Sequence, residues 1–249
     1  MIYAVVNQKG GVGKTTTSVN LAACLAAAGM RTLLVDIDPQ ANASSGLGVV
    51  RASPTMADVL LDGMPLADVI VPTGIDSLDL APAAPDLAGA AIELPTREDR
   101  EGILKRALAP VADRYRFVIL DCPPSLDLLT VNALTAASRL IVPAQCEFYA
   151  LEGLTRLLET ITAVQASLNP ELRVAGMLMT MHDPRTRVSG EVIAEVRRHF
   201  GELAFRTVIP RNIRLAEAPS HGRPVISYDP TSSGAAAYID AAREVAERG

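Results

Sequence analysis

At 249 residues, 49% of them apolar and 4% aromatic with no tryptophan, the chain has the length for one substantial domain around an aliphatic core. Its three cysteines, Cys24, Cys122 and Cys146, are widely spaced, which argues against a disulfide framework or a zinc site and for buried free thiols. There is no signal peptide and no apolar run of membrane-spanning length, and a net charge of −5 by itself disfavours nucleic acid, so the chain reads as a soluble, cytoplasmic protein.

The first predicted strand, Ile2 to Val6, runs into Asn7, Gln8, Lys9, Gly10, Gly11, Val12, Gly13, Lys14, Thr15 and Thr16. An amphipathic helix from Thr15 to Ala28 follows, with Gly29 placed to end it. Strand, glycine-rich turn and helix start is the context of a phosphate-binding loop, in which backbone N–H groups and the helix terminus cradle phosphates. Lys14 then reaches the outer phosphates and the Thr15 hydroxyl ligates magnesium. The match is imperfect: Gln8 stands where the general pattern has glycine, and an additional lysine, Lys9, opens the loop. The chain has only three lysines against twenty arginines, and two of the three fall here. A second cation beside the β- and γ-phosphates stabilises charge that develops in phosphoryl transfer.

Thr32 to Val35 is the next strand and completes a βαβ unit, hence a parallel pair. Asp36 and Asp38 follow at its carboxyl end, the edge where open α/β sheets bind ligands. Alternation along a strand aims both at the phosphates, one to hold a magnesium-bound water and the other to orient the attacking water. Residues 46–100 carry no assigned chemistry. Within them Thr55 and Asp58 form a capping-box pattern before Val59, and Ser77 to Ala81 is a strand. Ile103, Leu104, Ala107, Leu108 and Val111 trace a helical stripe. Phe117 to Leu120 then end in Asp121, the Walker B pattern of an aspartate that binds magnesium through a water. Leu140–Val142 and Val174–Met179 are predicted strands, and Leu151 to Gln165 a long helix.

From Met181 to Val225 there are eight arginines and five acids, a local +3 that the average conceals. Val192, Ile193, Val196 and Phe200 mark one face of a helix there. The last helix, Gly234 to Arg248, places Tyr238, Ile239, Ala242 and Val245 on one stripe, and its acidic charges favour core docking over an anionic lipid surface. The expected fold is α/β, a single P-loop NTPase domain over 1–249 with a mostly parallel twisted sheet flanked by helices on both faces.

KGGVGKTT with its leading lysine resembles the deviant Walker A motif of the ParA/MinD family of ATPases, and NQKGGVGKTTTSVNLAACLA is most similar to the ParA/Soj partitioning branch. VDIDPQAN resembles that family's switch I, DCPPS its switch II, and the segment from Val208 to Gly222 its C-terminal signature. The resemblance implies a Mg-ATP-dependent homodimer in which Lys9 reaches the partner's phosphates. It makes Asp38 the hydrolytic carboxylate, sets Gln40 near the phosphates, and gives Pro210 and Asn212 to the adenine. Arg185 and Arg214 fall where chromosomal members touch DNA, and arginines on loops suit phosphate contacts without base reading. The implied partners are double-stranded DNA, bound without sequence preference, and a ParB-type centromere-binding protein that stimulates weak intrinsic hydrolysis. Location on the nucleoid, no membrane contact and no N-terminal helix-turn-helix extension complete the expectation. The alternative is a MinD-like switch that associates with membranes when ATP is bound.

Overall fold

The central strands form where β-branched and aliphatic residues run without interruption, as strands covered on both faces do. A computed structural model describes residues 1–147 and 152–248, apart from the side chains of Ala91 and of 152–155. Strand β1 (Ile2–Val5) leads through the glycine loop to helix α1 (Lys14–Ala27) and strand β2 (Thr32–Asp36). Short helices α2 (Asn42–Gly46), α3 (Met56–Asp62) and α4 (Leu66–Val69) precede a hairpin of β3 (Val71–Pro72) and β4 (Leu78–Ala81). Helices α5 (Ala90–Glu93) and α6 (Ile103–Leu108) deliver the chain to β5 (Phe117–Asp121), followed by α7 (Leu128–Ala136) and β6 (Arg139–Gln145). Then come α8 (Glu152–Ser167), β7 (Arg173–His182), α9 (Arg187–Phe200) and β8 (Ala204–Pro210). Helices α10 (Ile213–Glu217), α11 (Val225–Tyr228) and α12 (Ser233–Arg248) close the chain.

The strands make one sheet in the order β3-β4-β2-β5-β1-β6-β7-β8, parallel throughout except where β3 meets β4. The register Val5↔Asp121 and Asp36↔Asp121 brings the carboxyl ends of β1, β2 and β5 level, and that edge carries the phosphate-binding loop. One face of the sheet packs against α3, α6, α7, α8 and α9 through residues such as Leu60, Leu104, Leu134, Ile161 and Val196. The other face is covered by α1 and α12, with Leu21, Leu25, Tyr238 and Val245 fully buried or nearly so. Expected helix signals hold locally. Thr55 caps α3, its hydroxyl accepting from the Ala57 N–H at 3.2 Å while Asp58 accepts the Thr55 N–H at 2.7 Å.

Two expectations are revised, and a third lies outside the described residues. The buried stripe of α12 is Tyr238, Ala241, Ala242 and Val245, spaced i, i+3, i+4, i+7, and Ile239 is rotated about 100° from Tyr238 and left 44% exposed. β2 ends at Asp36, so Asp38 lies beyond the strand and alternation along a strand does not govern where it points. Leu151, the expected start of the long helix, lies outside the described residues, within which α8 begins at Glu152.

Strand β8 is a sheet edge, and α12 protects it by polar contact as well as by packing. Glu244, 3% exposed, accepts the backbone N–H groups of Arg206 (2.9 Å) and Thr207 (3.1 Å) and a bond from Arg248 at 2.7 Å. Arg248 in turn donates to the carbonyls of Ala175 and Ala204. Glu244, one of the acidic residues of the last helix, thus docks that helix on the sheet. No helix among the described residues is long and apolar enough to cross a membrane.

Candidate functional site

The loop between β1 and α1 is held in place by contacts within the chain. Asn7 donates to the Pro143 carbonyl at 2.7 Å and accepts the Lys9 N–H at 3.0 Å, pinning the loop's entry to β6. Gly13 caps α1 at φ +88°, a left-handed conformation that side chains resist, and this turn aims the helix N-terminus at the loop's hollow. The Val12 carbonyl accepts the Thr180 hydroxyl at 2.8 Å, tying the loop to β7. Gly10, Gly11, Gly13, Lys14, Thr15 and Thr16 then line a cavity of about 340 Å³, with Asp38 and Gln40 on its opposite wall. Lys14 is buried, and its ammonium donates to the Lys9 carbonyl at 3.1 Å. Burial pulls its pKa down, opposed by the negative charges of Asp121 and Asp38.

The two switch aspartates have separate tasks. Asp36 is fully buried and accepts from the Ser44 N–H (2.8 Å), the Ser44 hydroxyl (2.7 Å) and the Asp38 N–H (3.1 Å), so it anchors the following loop and does not face phosphates. Asp38 lines the cavity, and one of its oxygens accepts the Gln40 N–H at 2.9 Å. Asp121 is also fully buried. Its Oδ1 accepts from Ser18 at 2.7 Å, and its Oδ2 has no hydrogen-bond partner among the described residues. Burial and the facing Asp36 both push the Asp121 carboxyl well above the ordinary range. An unpartnered buried carboxylate oxygen beside a threonine hydroxyl suits the water shell of a magnesium ion, and a divalent charge offsets the burial of both acids.

A second cavity of about 240 Å³ shares Gly13, Thr16 and Met181 with the first. Pro210, Asn212, Leu215 and Tyr238 supply its mostly apolar lining. Asn212 is committed locally: its Oδ1 caps α10 by accepting the Arg214 N–H at 2.8 Å, and its Nδ2 donates to Ser233 at 2.7 Å. Its size and character suit a planar base beside a phosphate pocket.

Lys9 and the two arginines stand apart from these cavities. The Lys9 ammonium pairs with Glu147 at 3.2 Å, the side chains being 40% and 52% exposed. Arg185 forms a two-pronged pair with Asp183 (2.7 and 2.9 Å), and Arg214 lies between Glu217 (2.8 Å) and Asp229 (3.1 Å). All three cations are therefore surface groups held by their own chain. At Gly48 and Gly222 the segment after α2 touches the turn after α10 through backbone: a Cβ on Gly222 would lie 2.7 Å from the Gly48 Cα. Both glycines have positive φ, +78° and +62°.

Sequence reasoning did not single out Ser18, Ser44, Glu147 or Thr180, and it read Tyr238 only as a core position of the last helix. Ser18 carried a signal, since it lies one helical turn after Lys14 and shares its face. The others come to the site from distant elements.

A family profile described as an AAA domain matches residues 1–174. The sporulation initiation inhibitor protein Soj of Bacillus subtilis is 55% identical over 250 residues, covering 100% of this chain and 99% of that protein. The chromosome partitioning protein ParA of Myxococcus xanthus is 49% identical, covering 99% and 88%. Among solved structures, cobyrinic acid a,c-diamide synthase from Mycobacterium smegmatis with a bound ATP analogue and magnesium superposes with a TM-score of 0.85. That protein is 40% identical, and the match covers 97% of this chain and 92% of that one.

Proposed function

Because the chain belongs to the ParA/Soj family of partitioning ATPases, with ATP and magnesium as its cofactors, we propose that it is a nucleotide-driven DNA-partitioning switch. Lys14 and the loop N–H groups hold the phosphates, and Thr15 with Asp121, through a water, holds the magnesium. The ion neutralises phosphate charge and polarises the γ-phosphate. Asp38 orients the attacking water from across the cavity, and Gln40 stays near the phosphates. Pro210 and Asn212 hold the adenine. Intrinsic turnover is weak, since one protomer brings only Lys14 into the phosphate cavity.

The observation that carries this reading is the position of Lys9. Its ammonium rests on Glu147, outside its own phosphate cavity, so each molecule has a cation available to the phosphates of a second copy. Two copies facing each other complete both sites and bring Arg185 and Arg214 into a paired basic surface. A single +3 segment holds DNA weakly, whereas two in one particle act with a shared local concentration. A ParB-type partner stimulates hydrolysis, and the dimer then separates and leaves the DNA. This places the protein on the nucleoid while ATP is bound.

The name of the Mycobacterium structure points to a second reading, amide synthesis. Drawing ammonia from glutamine calls for a reactive thiolate. Cys24, Cys122 and Cys146 are all buried, and burial pushes each thiol up, Cys24 to about 12 and Cys146 to about 11. None is set up as a nucleophile. The membrane-switch alternative meets the acidic, sheet-docked α12.

The deciding experiment is a DNA shift assay with ATP, ADP and no nucleotide at two salt concentrations. Retention with ATP alone, weaker at the higher salt, is expected. Binding that ignores the nucleotide, or no binding in any state, overturns the reading.

A further inference from the structure

The phosphate cavity and the base cavity meet at one side chain. Gly13, Thr16 and Met181 line both, and of these only Met181 is a side chain brought from outside the phosphate-binding loop and its helix. A nucleotide places its sugar between phosphates and base. With the phosphates on the loop and the base in the apolar cavity, the sugar crosses the wall that the two cavities share.

The backbone at this wall is unusual in a way that packing at a strand end does not require. Met181 has φ +54°, a left-handed conformation rarely taken by an unbranched apolar residue. The register of β7 on β8 shifts between Met179 and His182, which re-aims the side chain between them. Neighbouring contacts hold the conformation from both sides. The Thr180 carbonyl accepts the Cys146 N–H at 3.1 Å, and the His182 carbonyl accepts the Arg211 N–H at 2.9 Å. The Met181 sulfur itself accepts from the Gln145 amide at 2.9 Å. A flexible side chain is thus tethered at its sulfur, and the same residue lines both cavities.

We propose that Met181 seats the ribose of the bound nucleotide, its thioether fixed by Gln145 and its apolar arm forming the wall against the sugar's carbon face. This rests on the assignment of the two cavities to phosphates and base. It makes Met181 a positioning residue for the γ-phosphate, since a sugar that slides along the wall carries the phosphates with it.

Calorimetry with truncated ligands in the presence of magnesium tests it. Met181→Ala is expected to weaken ATP binding about fivefold and to leave tripolyphosphate, which has no sugar, unchanged. Ribose 5-triphosphate should show the same loss as ATP. Met181→Leu keeps the wall and most of the affinity. Met181→Gly loses the wall while relieving the backbone, and should bind ATP no better than the alanine variant. Equal losses on ATP and tripolyphosphate, no loss on ATP, or a loss confined to ligands with a base would each overturn the assignment. If the unaltered protein binds ribose 5-triphosphate as tightly as ATP, the base cavity itself is misassigned, a separate failure. Unchanged tripolyphosphate binding also reports that each variant retains a folded loop.

Discussion

Ser44→Ala tests whether the buried Asp36 anchors the switch loop. The Ser44 hydroxyl donates to Asp36 at 2.7 Å and accepts the Ala83 N–H at 3.0 Å, while its own N–H reaches Asp36 at 2.8 Å. The substitution removes the first two contacts and keeps the third. A hydrogen bond to a buried charge contributes about 1.5–3 kcal/mol, and an orphaned buried N–H costs about 1–3 kcal/mol. The two share one oxygen and do not add fully, so a loss of about 3 kcal/mol is expected. For a domain of this size that lowers Tm by roughly 6–12 °C. The Asp36 carboxyl, already pushed above the carboxylate range by burial and held down in part by Ser44, rises further. Asp38 and Gln40 sit on the loop so released, so turnover should fall while ATP affinity changes little. Thermal unfolding followed by circular dichroism, with phosphate release as the second readout, decides it. A Tm within 2 °C of the unaltered protein, a loss below about 1 kcal/mol, would show that the anchor is redundant and refute the argument.

Lys14→Ala removes the buried cation of the phosphate cavity and should abolish ATP binding by calorimetry; an affinity within tenfold, about 1.4 kcal/mol, would contradict the site. Glu147→Gln frees Lys9 from a surface pair that contributes about 0–1 kcal/mol per protomer, so the ATP dimer should tighten by up to roughly thirtyfold over two protomers. Light scattering across protein concentration measures it, and a weaker dimer would mean that Glu147 supports the interface. Glu217→Gln loosens the clamp on Arg214 and should raise DNA retention severalfold at low salt; Arg214→Glu should lose DNA while still dimerising, and an unaltered binding curve for either counts against the role. Glu244→Ala strips acceptors from two edge-strand N–H groups and from Arg248, for a loss of about 3 kcal/mol. Burial alone would raise the Glu244 carboxyl, but the N–H groups of Arg206 and Thr207, with Arg248, hold it below the ordinary glutamate value. Its contribution is therefore complete above the unfolded-state pKa and disappears as pH falls through the lower folded value. Acid titration of Tm should show a shallower decline for the variant, and parallel curves would refute that assignment.

Much of the fold could be anticipated because its signals are local. Continuous apolar runs ending in Asp36 and Asp121 mark buried parallel strands, and the Thr55 cap needs only its own turn. The phosphate-binding loop is one string, so Gly10 to Thr16 and the Walker B aspartate were legible together. What escaped depends on elements that meet only after folding. Asp36 and Asp38 look alike in the sequence, and what distinguishes them is Ser44, eight residues beyond Asp36, folding back on it. Arg185 and Arg214 stand out as charges with local counterions, Asp183 two residues before Arg185 and Glu217 one helical turn after Arg214, whereas Asp229 meets Arg214 only after folding. Ile239 was misplaced because it is more apolar than Ala241, which holds the buried position on the Tyr238 stripe.

The bare contact of Gly48 with Gly222 brings two backbones together at one point between the segment that follows the nucleotide loop and the turn that follows Arg214. Rotamer changes cannot absorb a shift at that point, because neither residue has a side chain. Any substituent larger than hydrogen at either position would act as a spacer and push the two segments apart.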